Sequence, residues 1–359
     1  MSKVIVGMSG GVDSSVAAYL LKEQGHDVVG VTMQIWQDDD NTNAGAEDGC
    51  CGLSAADDAR RVATKLDIPH YVMNFRDEFK DKVIDYFVDE YLNGRTPNPC
   101  IACNRYVKWE SLLERSMNIG GDYIATGHYA RIERLENGRY TIKNSVSLEK
   151  DQTYALYNLT QKQLSKTLMP CGSYSKEEIR EIAGKIDLVI ANKPDSQDIC
   201  FVPDGDYASF IKAEVSKTYK ALEPGNFVNQ QGDILGQHKG IVHYTVGQRK
   251  GLGLALGKPV YVLAIKPDTN EVVVGTCEES FRTTLKANQI NFMSIDDLDT
   301  PKRVFGKIRY NHKGAWCTVE KTGPDEITCV FEEPQKGITP GQSVVLYDGG
   351  YILGGGVIC

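Results

Sequence analysis

Apolar residues recur along the first two-thirds of the chain in two alternating patterns. Short apolar runs at Lys3–Met8, Val28–Met33, His70–Phe75 and Tyr123–Thr126 predict strands. Between them, helical spacing puts Val12, Val16, Tyr19 and Leu20 on one face, with Gly25 as the stop. A second helix is expected over Ser54–Leu66, opened by Ser54 with Asp57 three residues on. Phe79, Val83, Ile84, Phe87 and Tyr91 mark a long amphipathic helix, and Asn104 is placed to cap another. Lys176 begins one more, with Ser175 and Glu178 spaced as a capping box. Strands separated by helices of this length predict an α/β fold with a doubly wound parallel sheet. The helical period then fades and glycines concentrate. Tyr261–Ile265, Glu271–Val274, Arg303–Tyr310, Trp316–Glu320, Ile327–Phe331 and Ser343–Leu346 read as short strands. The expected organisation is a doubly wound domain over 1–205, a small β-rich central domain over 206–276 and a C-terminal β-barrel domain over 277–359. The polar stretch Asp38–Cys51 reads as a surface loop.

Composition narrows the function classes. With 41% hydrophobic and 25% charged residues in 359, the chain can bury several cores, which argues against disorder. No apolar run approaches the roughly 18 residues of a membrane span, and the N-terminus enters a strand without a leader pattern, so a cytoplasmic protein is expected. The net charge of −8 argues against indiscriminate nucleic-acid binding. Its distribution is uneven. Ile234–Pro267 contains no acid but has Lys239, Arg249, Lys250, Lys258 and Lys266, and Lys302–Lys313 again contains only basic charges. These islands suit a local anionic footprint or two solvated strand faces. Ten cysteines without an export signal point away from a disulfide scaffold and toward sulfur, redox or metal chemistry, or plain burial.

Ser9-Gly10-Gly11-Val12-Asp13-Ser14-Ser15 lies between the first strand and the first helix. Glycines let successive N–H groups converge, the helix adds its positive end and the serines add hydroxyls, which suits a pyrophosphate-like anion. Asp13 repels phosphate, so its expected task is to hold a Mg²⁺ bridging phosphate oxygens. No P-loop lysine follows the glycines, which leans toward chemistry at the α-phosphate of a nucleoside triphosphate. Cys100 and Cys103 form a C-x-x-C at a helix start, where thiolates are favoured, and Cys200 lies far off in sequence. ATP activation of a carbonyl beside reactive thiols suggests delivery of sulfur.

The loop SGGVDSS resembles that of the ATP-pyrophosphatase (PP-loop) superfamily. RTPNPCIACN at 95–104, TGHYA at 126–130, KDQTYAL at 150–156, KPDSQDICF at 193–201, VGQRKGLG at 246–253 and KIRYNH at 307–312 extend the resemblance, in order, to the tRNA-specific 2-thiouridylases. The resemblance implies adenylation of the 2-carbonyl of a wobble uridine in tRNA, followed by its replacement with sulfur. It implies ATP contacts at Gly7, Met8, Ser9, Gly10, Gly11, Val12, Asp13, Ser14, Met33 and Gly127, although Met33, at a strand end, also reads as core. Cys103 matches the family nucleophile and Cys200 the persulfide carrier, the pair closing a disulfide on release of sulfur. Asn98, Pro99 and Cys100 match the segment touching the target base. His128, Lys150, Asp151, Gln152, Arg309, Tyr310 and Gln342 match further tRNA contacts. The sulfur donor is expected to be a donor protein or inorganic sulfide.

At Cys100 relatives often carry Asp, so no proton-carrier role transfers to it. Cys100, Cys103 and Cys200 also form a candidate ligand set for an iron–sulfur cluster. A zinc site using the adjacent Cys50 and Cys51 is disfavoured. Cys171, Cys277, Cys317, Cys329 and Cys359 read as core or incidental. On residues alone, a PP-loop ligase using ammonia, which needs no cysteine pair, and a non-catalytic RNA binder with a relic nucleotide site stay open.

Overall fold

Strand β1 (Lys3–Gly7) is apolar through its centre because both of its faces are covered there: Val4, Ile5 and Val6 have no exposed surface. In the computed structural model it is the central strand of a parallel sheet. The structure describes residues 1–35, 53–188, 190, 199–202 and 204–359, with backbone only at Leu53 and Ser54. The Asp38–Cys51 loop, Cys50, Cys51 and the Ser54 cap therefore lie outside the described residues.

The chain forms two compact units. The first comprises Met1–Val83, Cys100–Gly205 and Gly349–Leu353. Its strands are β1, β2 (Asp27–Gln34), β3 (His70–Asn74), β4 (Tyr123–Ala125), the hairpin β5 (Ala130–Arg134) and β6 (Tyr140–Asn144), and β7 (Thr167–Leu168). The sheet order is β3-β2-β1-β4-β7, all neighbours parallel. From β1 the chain winds outward through β2 and β3, then crosses to place β4 on the other side of β1. This reversal makes the β1/β4 boundary the switch point, beyond whose carboxyl ends ligands bind in doubly wound sheets. The hairpin β5–β6 stands apart from this sheet and pairs with Tyr351 through Lys143.

Helix α1 (Val12–Glu23) crosses from β1 to β2 and is enclosed on most sides. Beyond the expected Val12 and Val16, Ala17, Ala18 and Leu21 are also buried. Each large aliphatic side chain buried there contributes on the order of 1.5–3 kcal/mol. Gly25, at φ +82°, ends the helix and donates to the Lys22 carbonyl. Helix α2 (Leu53–Lys65) follows β2, and α3 (76–92) follows β3. All five apolar positions expected on α3 are buried, and the division between units falls within it, after Val83. Helix α4 (99–118) does not start at Asn104. Pro99 is its first residue, the position where a missing N–H costs nothing. Asn104 instead lies buried inside the helix, donating to the Ala155 carbonyl at 2.9 Å and accepting from Lys108. Helix α5 (Lys176–Lys185) has the expected capping box, with Ser175 and Glu178 bonded reciprocally.

The second unit comprises Ile84–Pro99, Asp206–Asp348 and Gly354–Cys359. After α6 (Tyr207–Glu214) come β8 (Gly225–Val228), β9 (Ile234–His238), β10 (Tyr261–Lys266) and β11 (Glu271–Gly275), in the sheet order β10-β11-β8-β9. Then follow β12 (Phe281–Phe292), β13 (Lys302–Lys307), β14 (Ala315–Gly323), β15 (Glu326–Lys336), β16 (Ser343–Asp348) and β17 (Tyr351–Ile358). They run in the order β12-β15-β14-β13-β16-β17, and the β12–β17 pairing closes them into a barrel. Alternate residues fill its interior, among them Cys317, Val319, Ile327, Cys329 and Phe331.

Burial lowers the imidazole pKa at His70, His128, His238, His243 and His312, at His243 to about 4. The unfolded chain takes up these protons near pH ~6.5, the folded protein only at lower pH. Stability therefore rises with pH through this window and is lost as acid is added. A thermal melt at pH 5.5 is expected to show a lower Tm than one at pH 7.5, with His243→Gln removing part of the difference. Equal melting temperatures would contradict this reading.

Candidate functional site

The Ser9–Ser15 loop leaves the carboxyl end of β1 at the switch point. Gly10 has φ +67°, and a Cβ there would stand 2.4 Å from the Ala55 carbonyl oxygen, so only glycine fits between loop and α2. Gly11 is the N-cap of α1 and has no side chain to compete for the helix N–H groups. The serine hydroxyls turn inward. Ser14 Oγ accepts from Ser9 N at 3.1 Å and donates to the Gly11 carbonyl, as does Ser15 Oγ at 2.9 Å. These bonds shape the loop and leave the α1 N-terminus as its anion-binding feature. Gly7 ends β1, Met8 is buried behind it, and Val12 begins α1 in the core. Met33 is half-buried near the end of β2.

Gly127 follows β4 and presses directly on this loop. A Cβ at Gly127 would lie 2.6 Å from both the Asp13 carbonyl carbon and the Ser14 nitrogen. The two segments expected to contact ATP are therefore adjacent, with no room for a side chain between them. Next to Gly127, the His128 Nδ1 pairs with Thr126 Oγ1 at 2.7 Å, and the ring packs near Trp109. Burial, with the Lys108 charge adding, holds this imidazole well below the usual range. Burial thus favours the neutral imidazole.

At Asp13 the expected Mg²⁺ meets an obstacle. The Lys176 ammonium donates to both carboxylate oxygens, at 2.8 and 2.9 Å, and the Tyr129 hydroxyl donates to one of them at 2.7 Å. Gln152 holds Tyr129 in turn, its Oε1 accepting from Tyr129 N at 2.9 Å. Asp13 is thus neutralised by a protein cation, and a Mg²⁺ on this carboxylate does not fit the arrangement. Sequence reasoning missed Lys176. A lysine in the first turn of a helix stands at the unfavourable end of the macrodipole, and that misplacement was the available signal.

Cys100 lies in the first turn of α4 and is exposed, whereas Cys103 is half-buried one turn later. With the helix starting at Pro99, its N-terminal field reaches Cys100 more than Cys103. Cys200 is half-buried in the same compact unit. Among the described residues no group of three or more His, Cys, Asp or Glu side chains is arranged to hold a metal ion. Cys100, Cys103 and Cys200 are not among such a group. Cys171, Cys317 and Cys329 are buried, Cys277 is partly covered and Cys359 is exposed.

The remaining candidates divide by what their side chains touch. Asp151 accepts from Ser145 N and Thr153 N, so it braces its own loop, while Lys150 is exposed. In the second unit Asn98 is partly exposed and Pro99 is buried. Arg309 donates to the Lys336 carbonyl at 3.1 Å, and Gln342 to the Thr96 carbonyl at 2.7 Å. Tyr310 is 42% exposed just beyond β13. Within the basic islands, Lys302 pairs with Asp348, Arg303 with Glu332 and Lys266 with Glu271, whereas Arg249, Lys250 and Lys258 are exposed. No helix among the described residues is long and apolar enough to cross a membrane.

Comparison with known proteins agrees with this architecture. Residues 2–204 match the profile of the tRNA methyl transferase HUP domain, 210–276 that of the tRNA methyl transferase PRC-barrel domain, and 282–358 that of the aminomethyltransferase beta-barrel domain. The tRNA-specific 2-thiouridylase MnmA of Lachnoclostridium phytofermentans is 64% identical over 358 residues, covering 100% of this chain and 99% of that protein. The protein of the same name from Clostridioides difficile is 57% identical over 357 residues, covering 99% and 98%. A solved 4-thiouridine synthetase–RNA complex with bound ATP aligns at a TM-score of 0.34 with 17% identity, over 57% of this chain and 46% of that one. The 64% and 57% identity to these 2-thiouridylases over nearly the whole of both chains shows that the chain belongs to the tRNA-specific 2-thiouridylase family.

Proposed function

We propose that the chain catalyses ATP-dependent 2-thiolation of the wobble uridine of tRNA. The observation that carries the reading is the glycine-shaped loop at the β1/β4 switch point, in a compact unit that also contains Cys100, Cys103 and Cys200. The loop and the α1 N-terminus bind the triphosphate, with Gly127 closing against it. The uridine O2 attacks the α-phosphorus, forming a C–O–P bond and releasing pyrophosphate. The terminal sulfur of a Cys200 persulfide then bonds to C2. Cys103 thiolate attacks Cys200 Sγ, the bond from Sγ to the transferred sulfur breaks, and AMP departs with the former carbonyl oxygen. The products are 2-thiouridine, AMP and a Cys103–Cys200 disulfide, which a thiol reductant reopens. The persulfide is replenished by transfer of the outer sulfur of a donor protein's persulfide to the Cys200 thiolate; inorganic sulfide can serve instead only by attacking Cys200 Sγ of the still-closed Cys103–Cys200 disulfide, which forms the persulfide and expels the Cys103 thiolate. No step is routed through Mg²⁺ or an iron–sulfur cluster.

Exposed Arg249, Lys250 and Lys258 in the second unit support an RNA footprint on that unit, where Tyr310 is also exposed, and Lys150 is an exposed cation of the first unit. Asn98 and Cys100 stand beside the target base, which must leave its stack to react. Arg309 and Gln342 each donate to a backbone carbonyl, which fixes their side chains. The decisive test supplies purified protein with ATP, a persulfide donor and tRNA carrying an unmodified wobble uridine. One pyrophosphate and one 2-thiouridine per turnover are expected. Pyrophosphate release without thiolation, but with ammonia incorporated, would replace this reading with that of a ligase.

A further inference from the structure

We infer that Lys176 is a positioning residue of the phosphate loop, acting through Asp13. The inference rests on the proposal that this loop binds ATP. Asp13 lies in the first turn of α1, beside the N–H groups that the triphosphate requires. An uncompensated carboxylate there would repel each phosphate. Lys176 removes that repulsion, gripping both oxygens with an ammonium whose side chain is only 6% exposed.

Stability alone does not account for the pair. Lys176 occupies the first turn of α5, where the helix dipole disfavours a cation, and it is buried at a further desolvation cost. An apolar pair at such sites is often at least as stable. The arrangement is also oriented from several sides. Tyr129 bonds the same carboxylate, the Lys176 Nζ stands 5.7 Å from the Tyr129 ring centroid, and Cys171 Sγ donates to the Asp13 carbonyl at 3.3 Å. Carboxylate and backbone of Asp13 are thus both fixed.

The test is a double-mutant cycle read by equilibrium binding of ATP, AMP and adenosine to the full chain. Lys176→Met leaves Asp13 charged and is expected to weaken ATP binding on the order of ten- to a hundredfold. The loss is smaller for AMP and absent for adenosine, because the repulsion acts on phosphate charge. In thiolation assays the KM for ATP rises more than kcat falls. Asp13→Asn/Lys176→Met removes the carboxylate together with its partner and returns ATP affinity to within a fewfold of the wild type. A double variant as weak as Lys176→Met, or equal losses for all three ligands, overturns the inference. If Lys176→Met does not fold, the double variant alone decides: near-wild-type ATP affinity supports the inference and a loss beyond about tenfold defeats it. Failure of the wild type to bind ATP would instead remove the proposed function.

Discussion

Cys200→Ser is expected to lower sulfur incorporation into tRNA by a factor on the order of 10³ or more while tRNA-dependent pyrophosphate release continues. The split follows from the order of bond changes. In the proposed mechanism, adenylation consumes ATP at the phosphate loop and needs no thiol. Transfer needs a sulfur that is both nucleophilic and weakly bonded, which a serine oxygen cannot carry. Cys103→Ser is expected to be as damaging overall but to stop later, because the persulfide can still form on Cys200 and attack C2 while nothing cleaves the S–S bond behind it. A quenched single turnover should then leave tRNA covalently attached to Cys200 and releasable by added thiol. Cys100→Ala serves as the comparison. The Cys100 thiol is exposed in the first turn of α4 and takes no part in the bond changes proposed above, so an effect below about tenfold is expected, expressed as weaker tRNA binding. Full thiolation by Cys200→Ser would end the persulfide assignment, and a Cys100→Ala loss matching that of Cys103→Ser would transfer the resolving role to Cys100.

These assignments draw on two kinds of information that the chain carries unequally. The doubly wound sheet was legible because β1 is an uninterrupted apolar run and the helices between strands keep one period. The capping box at Ser175 was legible for the same local reason: both partners lie within one turn. Other elements depended on distant neighbours. β17 was not among the expected strands; despite its Gly354-Gly355-Gly356 run, it is a paired strand. A Cβ at Gly354 would meet the Asn291 oxygen at 2.5 Å, and one at Gly356 would meet the Asn288 oxygen at 2.7 Å. The glycines admit the irregular stretch of β12, where Gln289 has φ +51° and the register shifts. The hairpin β5–β6 carries a local signal, Asn137-Gly138 between alternating strands, with Gly138 at φ +84°.

The site shows the same division. The loop composition announced an anion site, and the glycines are indeed where a side chain would collide. Charge at Asp13 was visible in the sequence, but the cation facing it was not, since Lys176 lies 163 residues away. Asn104 illustrates the converse error. Asparagine before an apolar run suggests a cap, yet burial against Ala155 outweighs that local preference, and Pro99 provides the earlier start.

Gly127→Ala is expected to cost ATP affinity on the order of a hundredfold while lowering stability by about 1–3 kcal/mol. The added methyl would stand 2.6 Å from the Asp13 carbonyl carbon and the Ser14 nitrogen, and 2.9 Å from the Asp13 oxygen. These are backbone atoms, so no rotamer change relieves the contact. Either β4 and its following turn move away from β1, or the first turn of α1 moves. The first is resisted by the parallel pairing of Val4, Ile5 and Val6 with Tyr123–Ala125. The loop is therefore the part that yields, and its displacement misaligns the N–H groups while straining the Asp13–Lys176 and Asp13–Tyr129 contacts. Gly184→Ala provides the control. It replaces another glycine of the same unit, inside α5, where no atom lies within 4 Å of the new Cβ. Helix propensity alone then acts, and a gain of up to about 1 kcal/mol with unchanged ATP affinity is expected. Denaturant unfolding and nucleotide titration of the two variants separate the effects. If Gly127→Ala loses stability but keeps ATP affinity, the close approach is a packing feature, and the phosphate loop does not depend on its neighbour after β4.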